Sequence, residues 1–204
     1  MPKPLSQFFS AILPVGLSLA AAVQIANAQT GTSVANGDWP VYHGDEFSQR
    51  YSPLDQINAD NVGSLEIAWR LSTANFGPST DYNNPSTPLE IDGVLYVNIA
   101  STRNVAALDA TSGQVLWLWR PQEGKRYDEA PRKGSGRGVA FSHKDGKQRV
   151  IDVTPGYQLV SLDADPGLPH AEFGDNGIDD LFVGLPNAYD PRLPLPAPGF
   201  SAPA

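Results

Sequence analysis

The chain has 204 residues, with 22 acidic against 14 basic side chains and a formal net charge of −8 at pH 7. No cluster of Lys and Arg interrupts this acidic composition, so the sequence shows no electrostatic footprint for a nucleic-acid partner. Cysteine is absent and hydrophobic residues make up 41%. These values exclude a disulfide framework and indicate a globular chain that packing alone stabilises.

The first 28 residues have the pattern of a secretory signal peptide. Lys3 supplies a positive start, residues 8–23 are largely apolar, and Ala-Asn-Ala at 26–28 is a small-x-small cleavage signal. The apolar stretch is too short, and too interrupted by Pro14, for a good membrane span. We therefore predict cleavage after Ala28, export to the periplasm and no transmembrane span in the mature chain. An uncleaved membrane anchor is the alternative.

Beyond residue 36, short apolar or β-branched runs alternate with Gly, Pro, Asn and Asp. Such runs predict strands. They lie at residues 64–71, 94–100, 104–109, 115–119, 138–142, 149–154 and 157–162. One short helix is predicted at residues 59–64, with Asn58 as its N-cap. Many short strands with almost no helix predict an all-β fold: a sandwich, a barrel or a propeller.

An internal repeat distinguishes the propeller from the sandwich and the barrel. Ala-Leu-Asp-Ala at 107–110 and Ser-Leu-Asp-Ala at 161–164 stand 54 residues apart, near the ~40–50 residue period of a four-stranded propeller blade. The first copy continues to Gly113 and Trp117. Asp109 can accept backbone N–H bonds in the turn, Gly113 can supply the positive φ that closes it, and Trp117 can place a flat indole between adjacent sheets. The pattern predicts a propeller.

This motif resembles the tryptophan-docking motif of quinoprotein dehydrogenases, eight-bladed β-propellers that bind pyrroloquinoline quinone (PQQ) near the central axis. Segments 38–45, 50–58 and 61–69 resemble the family's opening stretch, and segments 92–96, 137–141 and 153–157 are similar as well. The resemblance covers residues 36–181. It implies an all-β, partial β-propeller of about two four-stranded blades at residues 29–184, after a signal peptide at 1–28 and before a Pro-rich loop at 185–204.

The resemblance also implies a function. Complete family members oxidise alcohols or sugars such as glucose, use PQQ with a Ca²⁺ Lewis acid, and pass electrons to a quinone or a cytochrome. The family's calcium ligands and its proton-accepting Asp lie in later blades and have no counterpart before Ala204. We therefore assign no catalytic residue and no metal ligand. We expect a truncated portion of the enzyme that is inactive alone and does not hold PQQ or Ca²⁺ stably; a naturally shortened member is the alternative.

Arg137 matches the family arginine that hydrogen-bonds PQQ, whose carboxylates and ortho-quinone suit a guanidinium donor. Glycines at 134, 136 and 138 would let the backbone approach closely, although this spacing by itself is typical of a plain loop. The sequence differs from the family pattern at two places. Pro85 occupies the place of an acidic PQQ contact, which weakens the expected affinity. Pro131-Arg132 replaces a vicinal disulfide, which favours the glucose or general-alcohol branches over the methanol branch.

The remaining candidate groups have simpler interpretations. The three histidines lack metal-ligand spacing, and the four tryptophans are interpreted as blade-packing residues. A second class of function stays open, a periplasmic propeller-repeat protein that binds or scaffolds other proteins without catalysis. The segments Trp-Pro-x-Tyr at 39–42 and Arg-Tyr-Ser-Pro-Leu at 50–54 favour the dehydrogenase, because a scaffold would not need them.

Overall fold

A computed structural model describes residues 34, 37–79, 81 and 83–183, which all belong to the compact unit Gly31–Ala204. They form two four-stranded antiparallel sheets, each with its strands in chain order. The first sheet contains β1 (Leu89–Ile91), β2 (Val94–Ile99), β3 (Asn104–Asp109) and β4 (Val115–Trp119). The second contains β5 (Ala140–Lys144), β6 (Lys147–Val153), β7 (Gln158–Asp163) and β8 (Ile178–Asp180).

Helical structure in the described residues consists of a 3-10 turn at Val62–Ser64, a single turn, α1, at Lys125–Asp128, and Val34, which has 3-10 conformation. No helix among them is long and apolar enough to cross a bilayer. The all-β class and the two four-stranded sheets are confirmed. The predicted signal peptide at 1–28 and the Pro-rich end at 185–204 lie outside the described residues.

Both sheets start with the same hairpin. Asp92-Gly93 connects β1 to β2 and Asp145-Gly146 connects β5 to β6, and all four residues have positive φ. Two-residue loops of this conformation match the right-handed twist of the flanking strands, and Asp-Gly is a preferred sequence for them. The local sequence therefore determines the register, with Ile91 opposite Val94 in one sheet and Lys144 opposite Lys147 in the other.

The first sheet is buried on both faces because its strands alternate between two clusters. Tyr96, Val105 and Ala107 point to a core shared with the second sheet and the residues next to its strands, which contribute Val139, Val150, Val160, Leu162 and Ala164. The residues in between, such as Val97 and Ala106, point to a second cluster on the opposite face. This period of two is what strand geometry requires. The two sheets thus stack face to face, as neighbouring blades of a propeller do.

Two indole rings dock on the turns of the repeat. Trp117, on β4, donates from Nε1 to the Ala164 carbonyl oxygen at 2.8 Å, and its ring covers Gly167. Trp69 does the same one repeat earlier, donating to the Ala110 carbonyl at 3.0 Å and covering Gly113. The predicted role of Trp117 between adjacent sheets is confirmed.

The turn between β3 and β4 has the predicted chemistry as well. The Asp109 carboxylate accepts the Ser112 N–H at 2.7 Å, and the Asp109 carbonyl accepts the Gly113 N–H at 2.8 Å. Gly113 has a φ of 72°. In the second sheet the Asp163 carbonyl accepts the Gly167 N–H at 2.9 Å, which repeats the same closure.

Two predicted elements are wrong. Residues 64–71 form no strand, because no described segment lies alongside to complete a ladder; only Trp69 and Leu71 pack, against the outer cluster of the first sheet. The helix predicted at residues 59–64 is reduced to the three-residue turn at Val62–Ser64. The side chain of Asn58 accepts the Asp60 N–H at 3.0 Å, a local turn that competes with a helical start.

Candidate cofactor-binding cavity

A cavity of about 850 Å³ opens where the loop before β5 meets β6 and the β2–β3 connection. Its wall is formed by residues 132–140 and 151–153, together with Asn83, Pro85, Arg103 and Leu159. Four of these lining residues are cationic, namely Arg103, Arg132, Lys133 and Arg137, and Asp152 is the one acidic residue among them. On a chain with a net charge of −8, this is a local concentration of positive charge that favours an anionic ligand.

Arg137 lies at this wall with its side chain exposed. Its carbonyl oxygen accepts the Thr87 N–H at 3.3 Å, which fastens the loop to the start of the first sheet. A Cβ on Gly138 would come within 2.8 Å of the Thr87 carbonyl oxygen, so this approach requires glycine. The Arg137 guanidinium makes no hydrogen bond or ion pair with another residue that the structure describes. Cofactor binding by Arg137 stays a prediction.

Arg103 reaches the same cavity from the other sheet. Its Nε donates to the Gly134 carbonyl at 3.1 Å and its Nη1 to the Val153 carbonyl at 2.8 Å. A Cβ on Gly136 would come within 2.8 Å of this Nε, so the glycine makes room for the guanidinium. Arg103 thus ties the Arg137 loop and β6 to the β2–β3 connection.

Two further contacts hold the loop from the first-sheet side. The Gly134 N–H donates to the Ser101 carbonyl at 2.8 Å, and the Ser135 N–H donates to the Asp81 carboxylate at 3.2 Å. The Ser135 side chain is buried, and its Oγ has no hydrogen-bond partner among the described residues. Several hydrogen bonds therefore hold the loop, while one buried hydroxyl beside the cavity has no partner in the part of the chain that the structure describes.

Asp152 is buried to 5% exposure in the wall of the cavity. Burial raises the pKa of its carboxyl group to about 7, against the opposing influence of the Arg103 charge. Its Oδ2 has no hydrogen-bond partner among the described residues. The Asn98 carboxamide lies beside it and lowers this pKa, although neither side-chain atom of Asn98 is in hydrogen-bond geometry with a described atom.

Sequence reasoning predicted Arg137 and missed Arg103, Ser135 and Asp152. Asp152 had a readable signal, because strand alternation places it on the same face as the core residue Val150. Arg103 had none, since its partners lie 31 and 50 residues away. The two positions at which the sequence differs from the family pattern also lie at the cavity. Pro85 is in the wall and has no polar side chain, and Arg132 adds a positive charge to the wall.

The other candidate residues lie elsewhere. His43 contacts Arg50 at 3.0 Å, and the buried His170 contacts Ser161 at 3.2 Å. Within the described part of the chain, no group of three or more His, Cys, Asp or Glu side chains could hold a metal ion. Trp119 packs against the core between the sheets, and Trp39 lies over Gly44.

Comparison with known proteins gives a consistent result. Residues 39–201 match the family model described as PQQ: glucose/ethanol/alcohol dehydrogenase, β-propeller domain. A quinoprotein glucose dehydrogenase of Gluconobacter oxydans is 31% identical over 84% of this chain and 24% of that protein. The dehydrogenase subunit of a quinone alcohol dehydrogenase from the same organism is 37% identical over 74% of this chain and 20% of that protein.

Solved structures agree with these relatives. The quinohemoprotein alcohol dehydrogenase of Comamonas testosteroni superposes with a TM-score of 0.56 at 30% identity, over 76% of this chain and 21% of that one. A europium-containing methanol dehydrogenase gives a TM-score of 0.51 at 28% identity. The chain spans about a fifth to a quarter of the length of these relatives. With a family model matched over most of its length, the chain belongs to the PQQ-dependent glucose/ethanol/alcohol dehydrogenase β-propeller family.

Proposed function

We propose that this chain forms two N-terminal blades of a periplasmic PQQ-dependent dehydrogenase that oxidises an alcohol or a sugar and delivers electrons to a quinone or a cytochrome. The Arg137 loop is then one wall of the cofactor site. The observation that carries this proposal is the cationic cavity beside the Arg137 loop, at which the Arg137 guanidinium has no other described partner. A non-catalytic scaffold of propeller repeats would have no use for such a cavity.

The residues present fit PQQ. The cofactor carries three carboxylates, and the wall offers four cationic side chains and a run of glycines that leaves backbone accessible. The buried Ser135 Oγ and Asp152 Oδ2 are polar atoms without described partners, as expected where a ligand or a bound water completes the hydrogen bonding. When bound, PQQ supplies the redox chemistry. The residues of this chain hold its carboxylates and set the charge around it.

The described residues do not fit a calcium ion. Asp152 is the one carboxylate in the wall, and the Arg103 guanidinium lies next to it. Ca²⁺ takes six to eight oxygen ligands, so its ligands have to come from other parts of a complete propeller. The proposed role of this chain is restricted to the organic cofactor.

Equilibrium binding tests this role. The full chain is titrated with PQQ, and binding is followed by quenching of tryptophan fluorescence. We expect weak, reversible binding that Arg137→Gln reduces at least tenfold, since a charge-assisted contact is worth about 1.5–3 kcal/mol. Arg70→Gln is the matched control, because Arg70 is exposed and lies outside the cavity wall. Equal losses in both variants would contradict a specific role for Arg137.

A second measurement tests whether this chain only contributes to the cofactor site and has no activity of its own. With PQQ and Ca²⁺ added, we expect no dye-linked oxidation of glucose or ethanol by residues 29–204. The reason is that a propeller builds its active site from loops of many blades around one axis. Turnover by a monodisperse monomer, abolished by Arg137→Ala, would show that two blades are a sufficient catalytic unit.

A further inference from the structure

We propose that Asp152 makes this cavity a proton-linked anion site: a carboxylate-bearing ligand binds together with one proton, which resides on Asp152. The inference rests on the proposed function, in which the cavity receives the carboxylates of PQQ. It adds a residue and a pH dependence that the family relationship does not supply.

Asp152 lies in a buried polar layer between the shared core and the cavity. Val150 and Asp152 alternate on β6 and face the same side, as Tyr96 and Asn98 do on β2. Val150 and Tyr96 belong to the shared core, so Asn98 and Asp152 continue that core towards the cavity as a polar layer. Asn98 is 0% exposed and Asp152 5% exposed. A carboxylate at this depth, whose Oδ2 has no hydrogen-bond partner among the described residues, is costly in its charged form.

Two charged side chains, Arg103 and Glu123, act on the Asp152 carboxyl group. Arg103 approaches from the β2–β3 connection and is fixed by its bonds to the Gly134 and Val153 carbonyls. Glu123, in the segment after β4, adds an unfavourable negative charge. The Thr154 hydroxyl donates to the Glu123 carboxylate at 2.5 Å and the Gly156 N–H donates to it at 3.0 Å, and these bonds hold it near Asp152.

Three further cationic residues line the cavity from the loop before β5: Arg132, Lys133 and Arg137. The Lys133 ammonium donates to the Asp128 carbonyl at 2.9 Å, so it acts on the cavity from a distance. With Asp152 ionised, its charge cancels one of the four positive charges in the wall. With Asp152 protonated, all four act on a bound anion. The carboxyl group then also offers an O–H donor where it previously offered an acceptor that would repel a ligand oxygen.

These facts determine the direction of the coupling. Burial already places the carboxyl pKa near neutrality, at about 7. A bound carboxylate adds a like charge nearby and raises that pKa further. Linkage is reciprocal, so protonation of Asp152 strengthens anion binding by the same factor. Affinity for the ligand rises as the pH falls from 8 to 6, and binding takes up a proton near pH 7.

The experiment is calorimetric titration of the full chain with PQQ at pH 6 and pH 8, in pairs of buffers that differ in ionisation enthalpy. We expect about fivefold tighter binding at pH 6 and net proton uptake at pH 7, the size expected from one added charge beside Asp152. Carboxyl groups of a free ligand ionise near pH 4 and stay charged over this range. The variant Asp152→Asn should bind at pH 8 about as tightly as the wild type does at pH 6, without proton uptake.

Asp179→Asn is the matched control. Asp179 is exposed on β8 and lies outside the cavity wall, so this substitution removes the same charge without changing the cavity. It should keep the pH dependence of the wild type. Unchanged pH dependence and proton uptake in Asp152→Asn would overturn this inference and leave the proposed function standing. No binding of PQQ by the wild type at either pH would overturn the cofactor wall, and this inference with it.

Discussion

The docking of Trp117 on Gly167 makes a quantitative prediction, because the chain contains a matched glycine. Gly167 has a φ of 82° and Gly93 a φ of 81°. A Cβ on Gly167 would come within 2.5 Å of Cε3 of Trp117, whereas a Cβ on Gly93 would meet no atom within 4 Å. Alanine therefore imposes the same backbone strain at both positions, about 1–2 kcal/mol. Only at Gly167 does it also displace the indole.

The additional cost follows from the contacts that Trp117 would lose. Displacing the ring breaks the hydrogen bond from Nε1 to the Ala164 carbonyl, worth about 1 kcal/mol. Forcing an extra methyl group into a packed site costs about 1–3 kcal/mol. We therefore expect Gly167→Ala to lower the free energy of unfolding by about 3–6 kcal/mol and Gly93→Ala by about 1–2 kcal/mol.

Urea unfolding of the full chain, followed by tryptophan fluorescence, measures both values. Gly167→Ala should also shift the emission of the folded protein to longer wavelength, since an undocked indole meets water. Equal destabilisation by the two alanines, with unchanged emission, would refute the claim that the ring on Gly167 holds the two sheets together.

Three further predictions concern pH and processing. Asp152→Asn should stabilise the fold most at pH 8, by up to about 4 kcal/mol, and little at pH 4. The folded pKa of about 7 lies above the unfolded one, so the wild type loses stability as pH rises between them. Asp180 has its pKa lowered to about 2 by Arg126, so the part of the stability lost in Arg126→Gln that comes from this ion pair should disappear as pH falls from about 4 towards 2 in chemical denaturation. The part that comes from the Arg126 bonds to the Gly156 and Tyr157 carbonyls should remain. N-terminal sequencing of exported protein should begin at Gln29, and a start near Met1 would contradict the cleavage prediction.

Strands with strong local signals were predictable. The predicted bounds of β3 and β4 match the structure, because one apolar run ends at Asp109 and the next begins after Gly113. The docking motif followed from the same stretch. Each of its parts depends on neighbours within a few residues, apart from the distant turn that receives Trp117.

Elements that depend on distant partners were not predictable. β1 and β8 have three residues each, too few to show a period, and exist because β2 and β7 pair with them. Residues 64–71 have a strand-like composition and no described strand beside them. The same limit applied to the cavity: Arg137 was found through family resemblance, whereas Arg103 becomes meaningful only once Gly134 and Val153 are folded against it.

The order of docking has a consequence for synthesis on the ribosome. Trp69 precedes the carbonyl that receives it by 41 residues, and Trp117 precedes its acceptor by 47. Each indole therefore leaves the ribosome well before the turn on which it settles. Because N-terminal residues emerge first, Trp117 at the edge of the first sheet stays undocked until the turn of the second sheet has emerged. A translational pause between residues 120 and 164 would prolong the exposure of Trp117, and chaperone capture of the nascent chain should be greatest in that interval.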